Sequence, residues 1–291
     1  MKFKMKATVA ALAMMAAGGA NAAINPGSVA AGAGGQGELY FSVFDAVNKI
    51  SYSRDLGVTI NQFLASPSAP MSFAADTKLQ SFISTASASS STLVWNLLGA
   101  MDSDFTNPAD FPKYGLYMTS NSSNAQLSAI DFTQAANGIA NIGFQVNGVN
   151  GDAQAQGGGS MINYAANNSS TSTSGYGYYN GPAGGSQLGS QIAVSGAKDE
   201  ANIGQSMAFY QVGLSLDATG TPTFDAAGNI LTSVTKYGDW TLAANGDLSY
   251  GTSAGGTAPV PLPPAVLLLG SALAGLVGVS RRRQQDEALS A

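Results

Sequence analysis

The chain has 291 residues, 12 basic and 17 acidic side chains, a formal charge of −5, and neither cysteine nor histidine. Without those two residue types there are no disulfide staples, no Ser-His-Asp or Cys-His nucleophiles, and none of the usual zinc and copper centres. An enzyme built from this composition would be limited to carboxylate-pair hydrolysis, serine-lysine chemistry or a calcium-assisted site.

The first element has the layout of a secretory signal peptide. Lys2, Lys4 and Lys6 give a positive start, residues 7–17 are apolar and uncharged, and Ala20-Asn21-Ala22 offers a small-x-small cleavage pattern. The expectation is a signal peptide over residues 1–22, cut between Ala22 and Ala23, with export through Sec-type machinery and signal peptidase as partners. Residues 23–37, rich in glycine and alanine, read as a flexible leader.

Strands follow. In Glu38–Asp45, Leu39, Phe41 and Val43 alternate with polar positions, while Tyr40 and Phe44 fall on the other face. A turn at Asn48 leads into a return strand over 50–54. A helix is predicted over 76–86, with Asp76 as N-cap and Leu79, Phe82 and Ile83 at helical spacing. Residues 93–100 and 114–119 read as core strands flanking a polar loop. Further strands are expected at 140–146, 207–216, 230–234 and 240–243. Asn245-Gly246 suits a type I′ turn closing the last hairpin. Between these, residues 157–189 shift to Gly, Ser, Asn and Tyr and read as a surface insertion. Short strands at regular spacing with one short helix predict a mainly β domain over 38–251, an antiparallel sandwich or jelly roll, followed by a linker over 252–259.

Candidate site residues in this domain are few. Asp102, Asp104 and Asn107, with Asp110 close by, are the densest set of oxygen ligands, but they lack the glycine and the late bidentate glutamate of an EF-hand. Solvated turn residues are the simpler reading, and neither a metal nor a cofactor is expected. Tyr176, Tyr178 and Tyr179, with Tyr164, offer flat apolar faces with polar tips, the chemistry of a carbohydrate-stacking platform. Glu38 and Glu200 are the only glutamates between the two end segments. Either would need a partner carboxylate about 5–10 Å away to hydrolyse a glycoside.

The chain closes with a proline cluster, an apolar run and three arginines. Residues 265–279 carry no charge, and as a helix they would span about 22 Å. Counting from Val260 to Ser280 gives 21 residues, enough for a bilayer core of about 30 Å. Arg281, Arg282 and Arg283 would stay in the cytoplasm as a stop-transfer group, which puts everything before them outside, as the signal peptide also demands. Pro261, Pro263 and Pro264 hold the segment before the helix extended. Removing both end segments takes away six of the twelve basic residues and two of the seventeen acidic ones. The region between then has six basic and fifteen acidic groups, a balance of −9, and nucleic acid is excluded as a partner.

Val260, Pro261, Leu262, Pro263 and Pro264, then the apolar stretch with Gly270-Ser271 and Gly275-Leu276, then the arginines, together resemble a PEP-CTERM sorting signal of the VPLPA variety over residues 260–283. The sequence departs from that pattern at Leu262 and Pro264. The resemblance implies recognition by an exosortase, a membrane protease of Gram-negative bacteria that make extracellular polysaccharide, with processing near the proline motif and a cytoplasmic tail over 284–291. It implies passage through the inner membrane and delivery to the cell surface or biofilm matrix. The expected function is a non-catalytic exported surface or matrix protein. A module binding extracellular polysaccharide and a carboxylate-dependent glycan hydrolase are the alternatives.

Overall fold

A computed structural model describes residues 24–25, 27, 37–103, 107–150, 169–172 and 200–251. Strands β1 (Glu38–Asp45) and β2 (Ile50–Thr59) form the opening hairpin in antiparallel register. Its turn is organised by one carboxylate. Asp45 accepts the backbone N–H groups of Val47 at 3.0 Å and Asn48 at 2.9 Å, the Asn48 side-chain amide at 2.6 Å and the Ser91 hydroxyl at 2.6 Å. Lys49 completes the turn in the left-handed region, φ 55°.

Helix α1 (Ile60–Ala65) starts at a capping box made by Thr59 and Gln62 and buries Ile60 and Phe63. After β3 (Met71–Phe73), Asp76 caps α2 (Thr77–Ala88), accepting the Leu79 N–H at 2.7 Å. The helix then turns Leu79, Phe82 and Ala86 inward. β4 (Leu93–Met101), a 3₁₀ turn at Pro108–Lys113 and β5 (Gly115–Ser120) follow, then the short α3 (Asn124–Leu127) and the long α4 (Phe132–Val149). The remaining strands are β6 (Ser169–Ser172), β7 (Ala201–Asn202), β8 (Ser206–Leu214), β9 (Thr232–Leu242) and β10 (Leu248–Gly251).

All ten strands belong to one antiparallel sheet, in the order β3-β10-β9-β8-β5-β4-β1-β2-β6, with β7 paired to β4. The sheet curls until its edges face each other, giving a nearly closed barrel. α2 and the residues just before it bridge the gap. Arg54 of β2 donates to the Ala74 carbonyl at 2.7 Å, the Tyr52 hydroxyl donates to Asp76 at 2.8 Å, and Lys78 donates to the Ser169 carbonyl of β6 at 3.3 Å. Two bulges sharpen the curl. At one, Leu39 and Tyr40 face Val58 and Asp55, so Leu56 and Gly57 are extra. At the other, Phe209 and Tyr210 face Gly238 and Lys236, so Tyr237 is extra.

Alternation along the strands divides the core in two. Leu39, Phe41, Val43, Trp95, Leu97, Tyr117, Phe209, Trp240, Leu242 and Leu248 point into the barrel, where Phe63, Leu79 and Phe82 from α1 and α2 join them. Tyr40, Leu98, Leu116, Met118, Val212 and Leu214 point outward beneath Ile139, Ile142 and Val146 of α4. β4 and β5 are therefore covered on both faces, and nearly every residue in them is buried.

The mainly antiparallel β expectation agrees with the structure, but the architecture is one curled sheet where two packed sheets were expected. Among the described residues every interior strand finds a neighbour on each side within this one sheet, and no second sheet forms. The described residues contain four α-helices where one was expected. The expected strand at 140–146 lies inside α4, and the strands expected at 230–234 and 240–243 overlap the two ends of the single strand β9. The last hairpin also differs from the type I′ turn. Only Gly246 has positive φ, at 89°, and Gly246 N–H donates to Ala243 while Ala243 N–H donates to Asp247. This is a three-residue loop with glycine in the left-handed position, and the Asn245 side chain is spent on Asp247.

Candidate functional site

Most of the residues singled out in the sequence lie outside the described residues. These are Ala22 and Ala23, Asp104, Tyr164, Tyr176, Tyr178 and Tyr179, the Val260–Pro264 motif, and Arg281, Arg282 and Arg283. Among the described residues no helix is long and apolar enough to cross a membrane.

Asp102 and Asn107 are described, and both serve their own backbone. Asp102 accepts the Ser103 N–H at 2.8 Å. Asn107 caps the 3₁₀ turn through Ala109 N–H at 3.2 Å and donates to Asp110 at 2.9 Å, while Asp110 pairs with Lys113 at 3.2 Å. Among the described residues no three acidic side chains gather as a metal ion would need.

Glu38 and Glu200 lie far apart along the strands. Glu38 opens β1, which runs beside the end of β4, and the end of β4 pairs with the start of β5 at Ala100 and Leu116. The Glu200 carbonyl instead accepts the Asn121 side chain at 2.9 Å, just past the other end of β5 and about 16 Å from Leu116 along the strand. Glu38 does have a carboxylate neighbour in Asp55, at the first bulge. Burial, then the Asp55 charge, push the Glu38 carboxyl above its ordinary value of 4.5, against the pull of the Asn25 N–H. Raised carboxyls of this kind serve glycosidases as acids, but here the oxygen is taken up by the chain's own Asn25 N–H at 2.6 Å.

That contact belongs to a clamp around Ile24, Asn25 and Gly27. Ile24 is 3% exposed and sits in the outer core beneath α4. Asn150, just past α4, takes both of its backbone groups, accepting Ile24 N–H at 3.0 Å and donating to the Ile24 carbonyl at 2.8 Å. Glu38 takes both backbone groups of Asn25, since its own N–H donates to the Asn25 carbonyl at 3.0 Å. Asp102 N–H donates to the Gly27 carbonyl at 3.0 Å. Gly27 and Gly37 lie so close to the Ala100 carbonyl that a Cβ would fall 2.0 and 1.7 Å from its oxygen. Asn150 is 126 residues from Ile24, so nothing local in the sequence announces this clamp.

A second feature is a cleft of about 580 Å³ between residues 128–133 and the double turn that joins β8 to β9. In that double turn Asp217 and Asp225 repeat one device. Each carboxylate accepts backbone N–H groups two and four residues ahead, and each also accepts a side-chain donor, the Thr219 hydroxyl at 2.7 Å for Asp217 and the Asn229 amide at 2.9 Å for Asp225. Those side-chain bonds first, then the backbone ones, hold both exposed carboxyls below their ordinary value. Asp131, also on the cleft wall, caps α4 through Gln134 N–H at 2.8 Å. The acidic groups of the cleft thus organise turns and a helix start.

Comparison with protein-family models, with characterised proteins and with solved structures finds no match.

Proposed function

We propose that the chain is a non-catalytic exported protein, carried across the inner membrane by its signal peptide and sorted by an exosortase to the cell surface or extracellular matrix of a polysaccharide-producing bacterium. The observation that carries the reading is the three-part ending, the proline motif at Val260–Pro264, the apolar run and Arg281-Arg282-Arg283.

The domain between the end segments is consistent with it. Ile24 is a core residue two positions beyond the expected cut at Ala22–Ala23, so a mature chain beginning at Ala23 keeps every described residue. Tyr250 is 3% exposed, and Gly251 pairs with Asp239, nine residues before Val260. Both cuts would therefore leave the barrel whole. Inside the barrel, Trp95, Trp240, Tyr52 and Phe209 are fully buried, as befits a scaffold that holds itself together without disulfides.

The test is fractionation of a native-type host. Replacing Arg281, Arg282 and Arg283 with serine, or Val260–Pro264 with a Gly-Ser stretch, should move the protein from the surface and medium into the membrane or periplasmic fraction. Unchanged surface delivery of both variants would contradict the sorting role.

A further inference from the structure

We infer that Asn245 is a self-modification site, where the chain converts its own side-chain amide to a carboxylate and thereby loosens the seam between the closing hairpin and α2. This does not depend on the export reading above.

An Asn-Gly pair is open to this reaction because glycine puts no side chain in the way of its own nitrogen. The Gly246 nitrogen bonds to the Asn245 Cγ, and the Cγ–Nδ2 bond breaks. The departing nitrogen takes up the proton that the Gly246 nitrogen loses and leaves as ammonia, so a succinimide ring remains. Water then opens the ring, adding hydroxyl to a ring carbonyl carbon and hydrogen to the ring nitrogen. Attack on the side-chain carbonyl gives aspartate, and attack on the main-chain carbonyl gives isoaspartate. Water is the one co-reactant.

The fold selects which pair reacts. Among the described residues Asn-Gly stands at Asn137-Gly138, Asn147-Gly148 and Asn245-Gly246. The first two lie inside α4, where both glycines are buried and the ladder of helix bonds holds their N–H groups. Attack there must wait for the helix that covers the outer core to open. Asn245 is exposed at the tip of the loop between β9 and β10, and the Gly246 N–H is held by one turn bond, to the Ala243 carbonyl at 2.8 Å. Asp247 presents the amide. Its N–H donates to Asn245 Oδ1 at 3.1 Å, the atom on which negative charge builds during attack. Its carboxylate accepts from Asn245 Nδ2, the departing nitrogen, at 2.8 Å. A side chain bonded to the N–H two residues on is folded over the intervening peptide, as the reaction requires.

The same turn fastens the hairpin to α2. Asp247 Oδ1 accepts the Ala75 N–H at 2.9 Å, just before the helix. Gly246 sits so close that a Cβ would lie 2.9 Å from Ile83 and 3.0 Å from Ala75 and Leu79. Conversion replaces the donor facing Asp247 with a second negative charge, and like charges at such range repel. Isoaspartate also lengthens the main chain of a turn that has no slack. Both changes draw Asp247 away from Ala75.

The experiment incubates the folded full-length protein for days at mildly alkaline pH and maps its peptides by mass spectrometry. The Asn245 peptide should gain about one dalton and contain isoaspartate, at least about ten-fold faster than the Asn137 and Asn147 peptides. In denaturant the three rates should converge. No conversion at Asn245, or folded rates that are equal at the three pairs, would overturn the proposal, as would a difference that survives denaturation. The converted protein, separated by its added charge, should exchange the Ala75 amide hydrogen about ten-fold faster than the starting material. Unchanged exchange at Ala75 would refute the loosened seam.

Discussion

Replacing Phe63 with alanine tests whether the barrel is a packed scaffold or a container. Phe63 reaches inward from α1, is 2% exposed, and meets three rings edge-on: Phe209 at 5.3 Å, Tyr237 at 5.2 Å and Tyr250 at 5.6 Å. These come from β8, β9 and β10, so one side chain ties a helix to three strands. Truncating a buried phenylalanine costs about 3–5 kcal/mol, and edge-to-face contacts add about 0.5–1.5 kcal/mol per pair. Three pairs sharing one ring are not additive, so a total near 5 kcal/mol is expected. Against a domain stability of about 5–15 kcal/mol, that removes a third or more of the margin. In urea, with a slope of about 2 kcal/mol per M, the midpoint should fall by about 2.5 M. Phe63→Leu keeps most of the volume and should lose only about 1–2 kcal/mol. Tryptophan fluorescence follows both unfolding curves, since Trp240 lies 6.2 Å from Phe209. A loss below about 1 kcal/mol for Phe63→Ala would refute the packed interior.

Two carboxyls should show opposite pH behaviour. Burial acts to raise Asp45, but the hydrogen bonds from Asn48, Ser91 and Val47 outweigh it and hold the group below its ordinary 3.8. Its contribution is full above that value and is lost as pH falls through the lower folded value. Asp45→Asn should cost about 1–3 kcal/mol at pH 7 and soften the acid limb of a stability profile. Glu38 is raised by burial and by Asp55, so its ionisation opposes folding as pH climbs from 4.5 through the folded value. Glu38→Gln, which keeps an acceptor for Asn25, should be neutral or stabilising at pH 7 and flatten that limb, as denaturation at several pH values would show. At Gly37 an alanine Cβ would lie 1.7 Å from the Ala100 oxygen, so Gly37→Ala should cost about 3 kcal/mol or more, read as a lowered midpoint together with faster exchange at Ile24.

Much of the sheet is readable from the sequence because its strands obey alternation. Leu39, Phe41 and Val43 face the interior, and Asp76 caps α2 where expected. α4 is harder to see. Ile142, Phe144 and Val146 alternate like a strand, and Gly138, Gly143 and Gly148 weaken helix propensity. The signal that marks it is the capping box of Asp131 and Gln134, followed by Ala135, Ile139, Ile142, Val146 and Val149 at helical spacing. β9 reads as two strands because Thr235, Lys236 and Asp239 interrupt its apolar runs, while the bulge at Tyr237 switches which face is inside. Closure of the sheet depends on pairing Met71 with Tyr250, and the clamp on pairing Ile24 with Asn150. Contacts across such separations leave no periodic trace in a single sequence.

The most direct test of the central claim is the intact mass of the protein recovered from the surface or medium of its native-type host, with and without the exosortase. A chain that begins at Ala23 and ends near Val260–Pro264 only when the enzyme is present is the predicted result. A mass that retains Arg281, Arg282 and Arg283 in both strains would contradict sorting and leave a membrane-anchored protein in its place.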